Sequence, residues 1–255
     1  MNTMNIRPAF IYKFRETIKI IVIFLGIMAA ILTGVIYLVS LNLGNDNAVS
    51  GSLSAFMTVT ANMLFVVGIA TIREDIRLMM QNGIGRRTVF TVELLLILSA
   101  SLILAVAGDV FIAIGHTVTA DWQGFFITDL YQLLYANEGN YKMSFVQHFE
   151  SIAFAFSIYV CATLAGILIS LIFYRLNKIG TIVLAIGAPL FFFVVLPITL
   201  NRTGVGYYLK PLLVAIFEFI HSSPWAFMLC SLLTSIIIGI FSWLLMRRAP
   251  VKPAK

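Results

Sequence analysis

Ile18-Lys-Ile-Ile-Val-Ile-Phe-Leu-Gly-Ile-Met-Ala-Ala-Ile-Leu-Thr-Gly-Val-Ile-Tyr-Leu-Val-Ser-Leu41 is the stretch that decides the fold. Its one charge, Lys19, sits at the edge of a run longer than the roughly 20 residues a helix needs to cross the hydrocarbon layer. The residues do not alternate apolar and polar, so a barrel strand is excluded. A helix is then the form that satisfies its own backbone in lipid. Five more runs share this character: Leu53–Ile72, Val89–Ile114, Ile152–Tyr174, Thr181–Leu200 and Trp225–Leu245. The reading is an all-α integral membrane protein with six transmembrane helices. A shorter apolar stretch, Pro211–Ile220, carries Glu218 and opens with Pro at a helix start. It reads as an outer re-entrant or interfacial helix.

Composition agrees. The 255 residues are 60% hydrophobic and 11% charged, against about 45–50% and about 25% in soluble domains. The net charge of +6 would raise nucleic acid as a partner in a soluble protein. Here its distribution points instead to topology. Arg7, Lys13, Arg15, Lys19, Arg73, Arg77, Arg86, Arg87, Arg175, Lys178, Arg247, Arg248, Lys252 and Lys255 fall on one side of the spans. Only Lys142, Arg202 and Lys210 fall on the other, with Asp46, Asp121, Asp129, Glu138 and Glu150. Basic residues concentrate on the cytoplasmic side, which places both termini there and the chain in the cell membrane. Cys161 and Cys230 lie in apolar runs and read as small hydrophobes. The Asn201-Arg202-Thr203 sequon reads as a chance occurrence.

The chain reads as one transmembrane domain, 1–255, with four segments outside the spans. Residues 1–17 are a basic cytosolic segment in which Phe10, Phe14 and Ile18 recur at helical spacing while Lys13 and Arg15 point elsewhere. They read as an amphipathic helix on the membrane surface. Residues 115–151 form a long outer loop with an amphipathic piece at Phe125–Tyr135, and residues 246–255 form a cytosolic tail. Residues 73–88 carry the most information. Ile72, Ile76, Met79 and Met80 share one helical face, with Arg73, Glu74, Asp75 and Arg77 around it. Asn82-Gly83 suits the left-handed end of a helix, and Arg86 and Arg87 open the next span. The picture is a short helix below the bilayer whose exposed Met-rich face docks into a partner.

Catalytic signatures are absent: no P-loop, no H-E-x-x-H and no G-x-S-x-G occur. No enzyme activity, cofactor or metal site is expected. His116, His148 and His221 fall at outer borders and read as solvated. Glu93, about one turn in from the cytoplasmic end, reads as snorkelling to the border or pairing with Arg86 or Arg87. Asp109 in the third span, Thr58 and Asn62 in the second and Pro197 in the fifth are candidates for a substrate path. Asn62 requires an interhelical partner or a wet cavity. Small residues recur at Gly26, Ala30, Gly34, at Ala162, Gly166, Ser170, and at Ser231, Ser235, Gly239. They suit packing within the bundle or dimerisation.

The stretch from Arg73 to Arg86, with its turn Asn82-Gly83-Ile84-Gly85-Arg86, resembles the connection between the second and third spans of ABC transporter permeases of the type-2 export class. The layout of the whole chain is similar as well. The resemblance implies a membrane-spanning subunit that pairs with a second permease subunit, the same or different. It implies a separate ATP-binding cassette subunit that docks at Arg73, Asp75, Arg77, Met79, Met80, Asn82, Gly83 and Arg86. ATP is then bound by that partner and not by this chain. Gly85 stands where such permeases often carry Ser, and the outer loop looks longer than usual. A self-sufficient secondary carrier and a non-transporting sensor or immunity protein are the alternative classes.

Overall fold

The computed structural model describes residues 6–42, 51–53, 55–119, 125–135, 143–191, 194, 197–198 and 204–247. Eight helices are described: α1 Ile6–Asn42, α2 Phe56–Gln81, α3 Arg86–Thr119, α4 Leu130–Tyr135, α5 Phe145–Arg175, α6 Lys178–Leu190, α7 Gly204–Ser222 and α8 Pro224–Arg247. A three-residue parallel strand pair, Gly51–Leu53 with Phe125–Ile127, is also present among the described residues. Five helices, α1, α2, α3, α5 and α8, are long and apolar enough to cross a membrane. The chain is a multi-pass membrane protein. The expected span Thr181–Leu200 is described mainly through α6; its later part falls largely outside the described residues.

Helix α5 is the axis of the bundle. It packs against α2, α3 and α8, and Phe154, Tyr159, Leu164 and Leu171 are fully buried along it. Its start is fixed by a capping box, with the Ser144 hydroxyl accepting from the Gln147 backbone and the Gln147 side chain reaching back. Helices α2 and α5 touch backbone to backbone. A Cβ on Gly166 would lie 2.2 Å from the Phe65 carbonyl oxygen, and one on Gly68 2.5 Å from that of Thr163. Ser170 then donates across the seam to the Ile69 carbonyl at 2.7 Å. Ser231 on α8 donates to the Ser157 carbonyl at 3.0 Å. The small residues of α5 therefore serve internal packing. Gly26 and Gly34 on α1 and Gly239 on α8 meet nothing within 4 Å.

Two cores result, one at each end of the bundle. Ile72, Ile76, Met79, Val89, Val92, Leu171 and Met246 form one at the end where α2 and α8 finish. Met57, Leu104, Tyr131, Phe154 and Tyr159 belong to the other. We refer to the first as the basic end, after Lys13, Arg73, Arg77, Arg86, Arg87 and Arg247. Large apolar side chains such as Ile23, Phe217 and Ile237 face outward, as lipid-facing surfaces require.

Three local expectations need correction. Residues 6–17 are not a separate surface helix, because α1 runs unbroken from Ile6 to Asn42. Its buried line there is Ala9, Lys13 and Thr17, so Lys13 points into the bundle. Pro211 does not start a helix. Helix α7 begins at Gly204 and Pro211 lies inside it. The loop 115–151 is shorter than expected, since α3 extends to Thr119 and α5 starts at Phe145. Ser54, the sequon, residues 136–142 and the tail beyond Arg247 lie outside the described residues.

Candidate functional site

Helix α2 does not stop where the expected second span ends. Residues 72–81 continue it without a break, burying Ile72, Asp75, Ile76 and Met79. This overturns the expected Met-rich docking face. Met79 is 3% exposed and packs with Ile76, Val89 and Met246, with Met80 half-buried beside them. The apolar side of the extension is consumed by the chain's own core. What faces outward is Arg73, Glu74, Arg77, Leu78, Gln81, Asn82 and Gly83.

The buried side carries charge as well. The Lys13 ammonium on α1 donates to the Asp75 carboxylate on α2, and both side chains are 8% exposed. Glu93 on α3, 3% exposed, is close enough to Asp75 and Lys13 to interact electrostatically with both. It therefore faces Asp75 and Lys13, and the expected pairing with Arg86 or Arg87 is replaced. Asp75 Oδ2 and Glu93 Oε1 are buried with no hydrogen-bond partner. Lys13 also lies 3.5 Å from the half-exposed Glu16 carboxylate, so the acids around this one ammonium outnumber it. Removing the ammonium would leave buried carboxyls without their cation, which is costly. The cluster ties α1, α2 and α3 together at one level.

The turn after α2 is a Schellman motif. Ile84 N–H donates to the Met79 carbonyl at 3.0 Å and Gly83 N–H to that of Met80 at 3.1 Å. Gly83 has φ +75°, where a side chain is strained. Asn82 Nδ2 closes the last turn on the Leu78 carbonyl at 2.9 Å. Arg86 then donates to the Arg247 carbonyl at 2.6 Å, and the Phe90 and Trp243 rings lie 5.2 Å apart. The α2–α3 hairpin is thus clamped to α8 from below.

The path candidates are not gathered into one site. Thr58 and Asn62 are exposed on α2, and Asn62 donates to its own helix at the Thr58 carbonyl, 2.9 Å. No interhelical partner within the chain is seen for it among the described residues. Asn62 and Arg73 are eleven positions apart, three turns of a helix to within about 20°. Thr58, Asn62, Arg73 and Arg77 therefore share one outward face of α2. Pro197 is exposed. Asp109 is paired, accepting from His148 Nδ1 at 2.9 Å.

The opposite end is closed by α4. Asp129 caps it, accepting from Leu130 N–H at 2.8 Å and from the Ser151 hydroxyl at 2.7 Å. Burial pushes its carboxyl up to about 6. Tyr131 donates to Glu150, Trp225 donates to the same carboxylate at 3.2 Å, and Tyr135 donates to the Ile220 carbonyl at 2.8 Å. Burial and the Glu150 charge raise the Tyr131 hydroxyl. His116 bonds the Ile127 carbonyl, and the His221 ring lies 6.1 Å from that of Tyr135. His116 and the partly exposed His148 are therefore each held by a partner, the Ile127 carbonyl and Asp109. No metal-ligand cluster is present among the described residues. Comparison of the chain with known protein families, with characterised proteins and with solved structures finds no match.

Proposed function

We propose that the chain is the membrane-spanning permease subunit of an ABC exporter in the cell membrane, with the basic end and both termini in the cytoplasm. ATP is hydrolysed by a separate subunit. The observation that supports this reading is the outward face of α2. In the membrane it carries Thr58 and Asn62, which need a polar or wet neighbour. Three turns further it carries Arg73 and Arg77 on a braced extension. One rigid element therefore links a polar surface in the span to a charged surface beyond it. A cassette subunit gripping Arg73, Arg77, Leu78 and the Asn82-Gly83 turn would move Asn62 with it. Asp75, Met79, Met80 and Arg86 act differently in this reading: they hold the extension rigid. A second permease subunit, the same or different, covers the Thr58–Asn62 surface and shares the path.

The test is purification of the full chain with its membrane partners. ATPase activity should accompany the parent chain and be lost from Arg73→Glu/Arg77→Glu, while membrane insertion and thermal stability persist. Retention of ATPase activity by that variant overturns the docking assignment. The buried Asp75–Glu93 carboxyl pair favours a second reading, a proton-coupled carrier that works alone. Proton-driven uptake by liposomes holding only this chain would select it.

A further inference from the structure

An apolar groove of about 540 Å³ opens outward between α3, α5 and α8, lined by Phe90, Leu94, Leu164, Ile236, Gly239 and Trp243 among others. Small side chains on α8 make the room: a Cβ on Gly239 would meet nothing within 4 Å, and Ser235 also lines the wall. The volume lies within the roughly 300–1,000 Å³ of small-molecule sites. The groove starts at the Phe90–Trp243 ring contact and climbs α8 to Leu232. Eleven residues at 1.5 Å each give about 16 Å. That is close to one leaflet, half of the roughly 30 Å hydrocarbon core. A spanning partner helix would need the full depth, whereas an acyl chain needs this much.

Charge completes the description. Below the ring contact, Arg86 and Arg87 open α3 and Arg247 ends α8. Arg86 is already bonded to the Arg247 carbonyl, which brings the two helix ends together, and Arg87 and Arg247 are exposed. The first turn of α3 carries no acid, and α8 carries none along its length. We propose that this groove binds one anionic phospholipid, its acyl chain between α3 and α8 and its phosphate against Arg87 and Arg247. The proposal concerns the basic end whichever side of the membrane that end faces, so it stands apart from the transport reading.

The full chain, purified in detergent, is exposed to equal amounts of phosphatidylglycerol and phosphatidylcholine, and retained lipid is read by native mass spectrometry. The parent chain should retain one phosphatidylglycerol in preference to phosphatidylcholine. A juxtamembrane basic residue contributes about 1 kcal/mol to anionic-lipid attraction, about fivefold. Arg87→Ala/Arg247→Ala should therefore cut the preference by at least fivefold. Gly239→Leu, whose Cβ meets nothing within 4 Å, should lower retention of both lipids while leaving the thermal midpoint unchanged. Excess inorganic phosphate should not displace the lipid. Equal retention of the two lipids by the parent overturns the headgroup assignment, and unchanged retention by Gly239→Leu overturns the location.

Discussion

The two ends of the bundle bury charge in different ways. At the basic end an ammonium and two carboxyls from three helices meet in a dry core, with both Lys13 and Asp75 side chains 8% exposed. At the opposite end the charges sit nearer water. His148 is 30% exposed against Asp109, and Asp129 spends its oxygens on a helix cap and a serine. The first arrangement fixes helices relative to one another. The second holds a small lid, α4, over the bundle. A buried pair is destabilising to break but does little to stabilise, so the basic end is better described as a device for rigidity. Rigidity is what a helix extension needs if force applied at its tip is to reach the span.

The largest effect should come from breaking the dry cluster. Lys13→Met leaves the Asp75 and Glu93 carboxyls without their cation and should cost about 3–5 kcal/mol, read as the unfolding midpoint in micelles. Adding Asp75→Leu should recover most of that loss, because the remaining single acid can stay protonated. A cost below about 1 kcal/mol for Lys13→Met would mean that the cluster braces nothing. The second effect belongs to the lid and depends on pH. Burial raises Asp129 from 3.8 to about 6, so folding favours its protonated form. The native lid then binds more protons than the unfolded one between these values, and its hold weakens as pH rises through that window. About two units correspond to at most about 3 kcal/mol. Protease cleavage within residues 128–135 should be faster at pH 7.5 than at pH 5, after correction for the protease's own profile. Asp129→Asn, which keeps the cap and the Ser151 contact, should remove the difference. Asp109, which also acts on this carboxyl, should alter the midpoint when replaced by Asn without abolishing the step.

The hairpin turn at the basic end gives a smaller, sharper contrast. Gly83→Ala meets no atom within 4 Å but must adopt φ +75°, a left-handed conformation costing about 1–2 kcal/mol. Gly85→Ala meets equally open space without that strain and should change stability by less than about 0.5 kcal/mol. Equal costs at the two glycines would count against the Schellman turn as the element that orients Arg86.

Much of this was legible in the chain, and what was not has a physical reason. Long apolar runs identify spans because lipid imposes length and composition together. Asn82-Gly83 is legible as a helix end because few residues tolerate the backbone angle found there. The small residues of α5 are legible as packing positions, although only the backbone contact at Gly166 distinguishes them from the open stripe on α1. The Met face misled because amphipathicity shows that a face is covered, not by what. Residues 72–79 are covered by Val89 and Met246 of the same chain. Lys13 was missed because the aromatic spacing of Phe10 and Phe14 draws the eye to a neighbouring arc, whereas the buried line runs through Ala9, Lys13 and Thr17. Glu93 stood out as an ionisable residue inside a span, but its partner lies on another helix, where adjacent arginines give no guide. The capping bond in which Gln132 Oε1 accepts from Asp129 N–H at 3.0 Å, and the Ser151 contact, could have been suspected from an acid within the amphipathic piece Phe125–Tyr135.

Ionic strength separates the two ends with the smallest effect. At a pH that protonates His148, its contact with the partly exposed Asp109 resembles a surface ion pair, worth about 0.2–1 kcal/mol. His148→Gln should cost no more than that. The cost should shrink as salt is raised from low to high, because exposed charges are screened over about 10 Å at 0.1 M and about 3 Å at 1 M. The Lys13–Asp75 pair is buried, both side chains 8% exposed, so the cost of Lys13→Met should change much less over the same range. If both costs fell together with salt, the basic end would be as wet as the other. The distinction between a rigid brace and a titratable lid would then fail.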